Sequence, residues 1–439
     1  FNGTATVNAA TSGGQSLTID TADGAIQMQG AIGNLTALND LTVNADGTAT
    51  IEIFNIGGST TAVGVAGDTN IGNDNTDTLT LDGTIYTTTG SQTYTADSGQ
   101  NIDITNSSGS TFTTTNTAVA FENSGVDLAN DATTTINTGT GDGSVTFEGA
   151  IETDGDDDDV LTITSGSGDV TFTGAIGVTE ELGELNVNAT GSGDGDIIFS
   201  GNIGDSSGAG VIGTTTIGTS STEDITFSST IYSFGDDTTI TTADGDNIKL
   251  TAAATTTFST SADDIKFATG HITLASDTNL VVDTGATTGD ITITEIAGDS
   301  VETVTLDAGT GTTSVGPIGS GTEIGTLTIG SSDNGAITLN GAIITDGEVN
   351  IDGPVTLATT SISITTADDD ITIEGTIDGG QALTLSSGSG DIDLQGDIGT
   401  ASGGTLSSLT INNSNGASGT ISLPNIGTAS AVGVSGATD

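Results

Sequence analysis

Apolar residues fall at every second position through short stretches of this chain. LTITSGSGDVTFTGAIG runs from Leu161 to Gly177, and LTLSSGSGDIDLQGDIG runs from Leu383 to Gly399. In each, an alternating Leu/Ile segment is followed by a polar Ser/Gly/Asp turn, a second alternating segment, and a closing Gly and Ile. Related phrases begin at Leu17, Leu327 and Ser361. Period-two alternation over four to six residues, rich in Thr, Ile and Val and bounded by Gly, Asp, Asn and Ser, predicts strand, turn, strand. No stretch carries helical periodicity.

A longer period overlies the short one. The segments TIY at Thr84 and Thr230, NIDIT at Asn101 and NIKLT at Asn247, and TFTTT at Thr111 and TFSTS at Thr257 each recur after 146 residues. The GAIG phrases containing Ile32 and Ile176 lie 144 apart. Large copies therefore span approximately 17–160, 161–302, a shortened 303–382, and the start of another at 383–439. Like phrases within a copy recur every 21 to 28 residues, and a fold that loses material in such steps is a stack of interchangeable layers. The expectation is an all-β protein, one continuous parallel β-solenoid over 1–439, with about 18 coils of about 24 residues spaced roughly 4.8 Å apart. Gly is expected to turn the corners with positive φ, Asp and Asn to satisfy local backbone donors, and Thr to fill outward strand positions. Tandem antiparallel β-sandwich domains are the alternative, because strand-turn-strand phrases also read as hairpins. Ile51–Asp68 resembles Ile421–Asp439, so the pattern stops midway, and further coils are expected to continue it or dock onto it.

Composition narrows the function. Among 439 residues only 3% are aromatic and there is no Trp, whereas Gly numbers 67; thin stacked layers suit this better than a large globular core. With no Cys, disulfides and thiolate chemistry are excluded. Apolar runs are too short to span a bilayer. No basic start precedes an apolar run at Phe1, so the chain reads as mature or as a window of a longer one. Against 58 Asp and Glu stand only Lys249 and Lys266, for a formal net charge of −56. Nucleic-acid binding and attraction to anionic membranes both need basic residues, so neither is expected. Divalent cations are the partners such a balance invites; high environmental salt is the other explanation for the charge.

Candidate chemistry sits in acidic loops. Asp154, Asp156, Asp157, Asp158 and Asp159 share one loop, and Asp368, Asp369 and Asp370 share another. Clustered carboxylates with Gly supply the hard oxygens that Ca²⁺ requires, although neither loop has the twelve-residue helix-loop-helix spacing. Solvated turn residues are the competing reading, and Asp244 and Asp246 are lesser candidates. His271, the lone histidine, reads as a packed or solvent-facing strand residue, not a metal ligand. Catalysis through a Ser nucleophile would depend on that one imidazole. Paired carboxylates could cleave a polysaccharide, and Thr ladders could order water as in ice-binding β-helices, but the scarcity of Tyr, Trp and Arg and the irregular Thr spacing argue for a protein that is not an enzyme.

The recurring GAIG…LNDLTVNA (Gly30–Ala45) and GAIG…LGELNVNA (Gly174–Ala189), coupled to SGDVTFTG, resemble the repeats of filamentous-haemagglutinin-like and autotransporter-like bacterial adhesins. The bias toward Thr, Gly and Asp also resembles S-layer proteins. That resemblance implies an extracellular location at the cell surface and a role as fibre, surface layer or adhesin stalk. Its implied partners are copies of itself, in a head-to-tail filament or lattice, and a cell-surface component or carbohydrate; calcium would be the stabilising ion.

Overall fold

The structure, a computed structural model, describes residues 6–58, 63–155, 159–190, 195–330, 335–412, 419–428 and 432–439. It is all-β, with no helix among those residues, and its parallel sheets stack as a β-solenoid of about 16 turns. The expected parallel stack is therefore present, and the antiparallel sandwich alternative is overturned. The turn count falls below 18 because many turns exceed 24 residues. Ile337 meets its partner Val355 after 18 residues, but Leu41 meets Thr69 after 28 and Ile392 meets Ile421 after 29.

The chain divides into two compact units, 1–235 with 241–243, and 236–240 with 244–439. In the first, one sheet climbs from Leu17–Thr21 through Leu41–Ala45 and Thr69–Gly72 to Ile225–Phe227. A second runs from Ile85–Thr87 through Ser110–Thr113 and Thr133–Asn137 to Thr215–Ile217, and a third from Ile26–Met28 through Thr50–Ile53 to Ile151–Thr153. The second unit repeats the plan. One sheet runs from Ile265–Thr269 to Ile377–Asp378, one from Thr255–Ser259 to Ile421–Ser422, and a third contains Ser361–Thr366, Ala382–Ser386 and Ser408–Asn412.

Registers explain the residue choice. Leu161 stacks on Thr134 and under Leu185, and Ile163 on Ile136 and under Val187. Alternate residues point inward, so each strand buries its apolar set and leaves Thr, Asn or Asp outside, as in the buried/half-buried alternation of Val160–Ser165. Aromatic residues, scarce in the sequence, are concentrated in one column. The rings of Tyr94, Phe121, Phe147, Phe172, Phe199 and Phe227 stack with centroids 4.8 to 5.6 Å apart and interplanar angles of 6 to 20°. Those spacings match the layer repeat, so each ring keeps full contact with the next without tilting.

The GAIG phrase combines two separate glycine requirements. Its last glycine has positive φ: Gly33 (68°), Gly177 (62°) and Gly399 (66°) turn a corner left-handed. Its first needs no special φ but leaves no room for a side chain. A Cβ on Gly174 would lie 2.2 Å from the backbone of Gly149, and one on Gly201 would lie 2.2 Å from Gly174. Between the two glycines, Ile32, Ile56, Ile176 and Ile203 pair with neighbouring coils through single bridges. The bridges from Ile32 and Ile56 lead into the second sheet at Tyr86, and those from Ile176 and Ile203 extend the third sheet from Ile151. The 144-residue copy is thus not a whole number of turns, and the phrase changes sheets.

Gly174→Ala should destabilise the first unit by about 2–4 kcal/mol, because overpacking falls on backbone that cannot yield. Gly208→Ala, where the nearest atom to a Cβ is 3.5 Å away on the flexible Glu181, should cost under about 1 kcal/mol in the same urea titration.

Candidate cation sites on the acidic columns

Most Asp carboxylates serve the next coil and not their own turn. Asp237 Oδ1 accepts the backbone N–H of Asp264 (3.0 Å), Asp264 that of Asp290 (2.8 Å), and Asp290 that of Thr312 (2.6 Å). The same relay joins Asp40, Asp68 and Ser91, and also Asp169, Asp196 and Asp224. Each bond satisfies an N–H at a strand entrance, where the ladder has not yet begun. The expected local role holds at fewer places, such as Asp205, which accepts from Ser207 and Gly208.

Stacking in register brings carboxylates together. Asp236, Asp237 and Asp263 offer oxygen atoms within 4.8 Å of one another. Partial burial, then the neighbouring charges of Asp236, Asp237 and Asp264, raise the Asp263 carboxyl above the ordinary range. Beside them a cavity of about 310 Å³ is lined by Asp237, Thr239, Asp264, Lys266, Asp290 and Thr292.

In the first unit, Asp103 stacks under Asp127 and points outward. Both line a second cavity of about 310 Å³ together with Thr105, Ser107, Asn130 and Asp154. Burial pushes Asp103 up to about 6, and Asp127 and Asp154 push it further in the same direction. Asp127 is also raised, by burial, although Asn101 Nδ2 donates to it at 2.6 Å.

The two loops singled out in the sequence behave differently. Asp154 joins the Asp103–Asp127 cavity; Asp156, Asp157 and Asp158 lie outside the described residues. Asp159 is fully buried: its Oδ1 accepts from Ala132 N at 3.3 Å, its Oδ2 has no hydrogen-bond partner, and burial raises its pKa to about 6. In the other loop, Asp368 Oδ1 accepts from Ser389 N (3.0 Å) and Asp370 Oδ1 from Asp391 N (2.7 Å), while the Asp369 carbonyl accepts from Thr366 Oγ1. Two of these three carboxylates are pegs between coils. Asp246 offers its carbonyl to His271 N (3.0 Å), and His271 Nδ1 lies 3.1 Å from Glu295 on the next coil.

Asp103, Asp127, Asp236 and Asp263 were not singled out because the groups that meet are a coil apart in sequence. The signal was present in the phrases NIDIT at Asn101 and VDLAND at Val126, whose aspartates coincide once the coils are stacked. No family model, curated protein or solved structure matches the chain.

Raised carboxyls tie stability to pH. A group with its pKa raised on folding binds its proton more tightly in the native state, so its stabilisation is complete below the unfolded value and is lost as pH rises through the folded value. Asp103 should make stability fall between about pH 4 and 6. The urea midpoint of the wild type should therefore drop from pH 4.5 to pH 6.5, and Asp103→Asn should flatten part of that slope.

Proposed function

We propose that this chain is a non-catalytic structural segment of an extracellular fibre or surface layer at a microbial cell surface, with calcium linking its acidic columns. The carrying observation is the relay of in-register carboxylates, above all the convergence of Asp236, Asp237 and Asp263. Stacked like charges repel one another, and a divalent cation placed among them removes that repulsion while supplying the bonds that carboxylate oxygens lack. Three carboxylates form half of a six-to-eight-oxygen shell; water or carboxylates of a neighbouring copy can complete it. The second mode would join copies laterally and favours a lattice. The fold itself supports a mechanical role, because parallel strand pairing at every turn resists separation of the coils. The resemblance to repeat-bearing adhesins and S-layer proteins points to the same location.

Electron microscopy of the purified protein in millimolar calcium and after chelation tests this reading. Sheets or filaments that form in calcium and disperse on chelation, with Asp263→Asn and Asp236→Asn shifting assembly to higher calcium, are the expected result. Assembly driven equally by sodium at matched ionic strength would instead assign the charge to high-salt adaptation.

A further inference from the structure

One face of the second unit leaves its apolar column uncovered. Ile421, Leu423 and Ile426 are 46%, 47% and 40% exposed. They belong to a coil type that occurs twice more, in the first unit. Ile426 bridges Ile398 and Gly427 N donates to Ile398 O (2.8 Å), as Ile56 bridges Ile32 with Gly57 N on Ile32 O (2.8 Å), and as Ile203 bridges Ile176 with Gly204 N on Ile176 O (2.9 Å). Val434 likewise bridges Leu406 as Val65 bridges Leu38. At both earlier occurrences the column is sealed: Ile51, Ile53 and Ile56 are 0% exposed, and Ile197, Phe199 and Ile203 no more than 1%.

The seal has the same chemistry both times. Leu79 and Leu81 cover Ile51 and Ile53, and Tyr86 covers Ile56. Ile225 and Phe227 cover Ile197 and Phe199, and Tyr232 covers Ile203. Each tyrosine lies in a Thr-Ile-Tyr segment and reaches back across the layer: Tyr86 Oη donates to Ile53 O (3.2 Å) and accepts from Gly83 N (2.7 Å), while Tyr232 Oη donates to Phe199 O (3.4 Å) and accepts from Ser229 N (2.8 Å). Asn55 Oδ1 accepts from Thr84 N and Ile85 N of the covering coil, and Asn202 Oδ1 from Ile231 N. Asn425 occupies the corresponding place.

We infer that the face of Ile421, Leu423, Asn425 and Ile426 is an acceptor for a parallel β-coil of the Thr-Ile-Tyr type, whose tyrosine hydroxyl donates to the Leu423 carbonyl. Binding is by strand addition, with backbone bonds supplying affinity and the tyrosine fixing register. Charge favours this occupant over a second copy of the whole chain. Segment 78–95 carries one acidic residue, Asp82, and segment 225–235 none, whereas each further copy brings a net charge of −56.

A fluorescein-labelled peptide of residues 78–95, titrated into the full chain and followed by anisotropy, is the test. Saturable binding is expected, weakened at least about tenfold by Tyr86→Ala in the peptide or by Ile426→Asp in the protein, with the circular dichroism of the protein unchanged. Absence of saturable binding, or binding indifferent to both substitutions, would overturn the assignment. So would concentration-dependent self-association of the chain that Ile426→Asp abolishes, since the face would then belong to a second copy. None of these outcomes depends on calcium, so the result stands apart from the surface-layer reading.

Discussion

Parallel pairing in register, one coil directly upon the next, is the constraint from which the rest follows. It fixes the layer spacing at about 4.8 Å and sets every side chain against its counterpart one turn away. Inside, like upon like is favourable: Ile163 meets Ile136, and Phe147 meets Phe121 and Phe172. Outside, the same rule forces Asp103 beside Asp127, a contact that water alone screens poorly once the groups are partly buried.

The chain lessens that conflict by giving many carboxylates a structural task. An aspartate at a strand entrance accepts the N–H of its counterpart, so negative charge is held against a backbone dipole pointing toward it, and an otherwise unpaired donor is satisfied. Lys266, one of only two lysines, lines the cavity beside Asp237, Asp264 and Asp290. Where pegs and partial burial leave carboxyls adjacent, as at Asp263 and Asp103, proton affinity rises. The acidity that looks excessive in composition is partly a construction material.

Much of the fold was legible because alternation and stacking are both periodic. Strand placement at Val160–Ser165 and Ala382–Ser386 follows from local pattern, and parallel layers follow from a deletion of interchangeable coils. Turn lengths were less legible, since corner loops such as that between Ile56 and Tyr86 vary without disturbing the strands. The aromatic column was hidden because its members are isolated in sequence and meet only when each turn's length is known. For the same reason the acidic runs misled: Asp368 and Asp370 are adjacent in the chain yet bond to the following coil, whereas Asp263 and Asp236 come from successive coils. First and last glycines of GAIG looked alike in the sequence, but one is required by backbone proximity and the other by chirality.

The migration of GAIG from one sheet to another within the first unit gives copy number a second meaning. Adding or removing a 144-residue copy extends or shortens the ladder by a fractional number of turns, so every downstream loop is also rotated about the axis. Length and azimuth are coupled, as on a screw thread. Relatives that differed only in how many copies they carry would aim the same loop in different directions, and recombination between repeats would re-aim a surface without changing one residue of it.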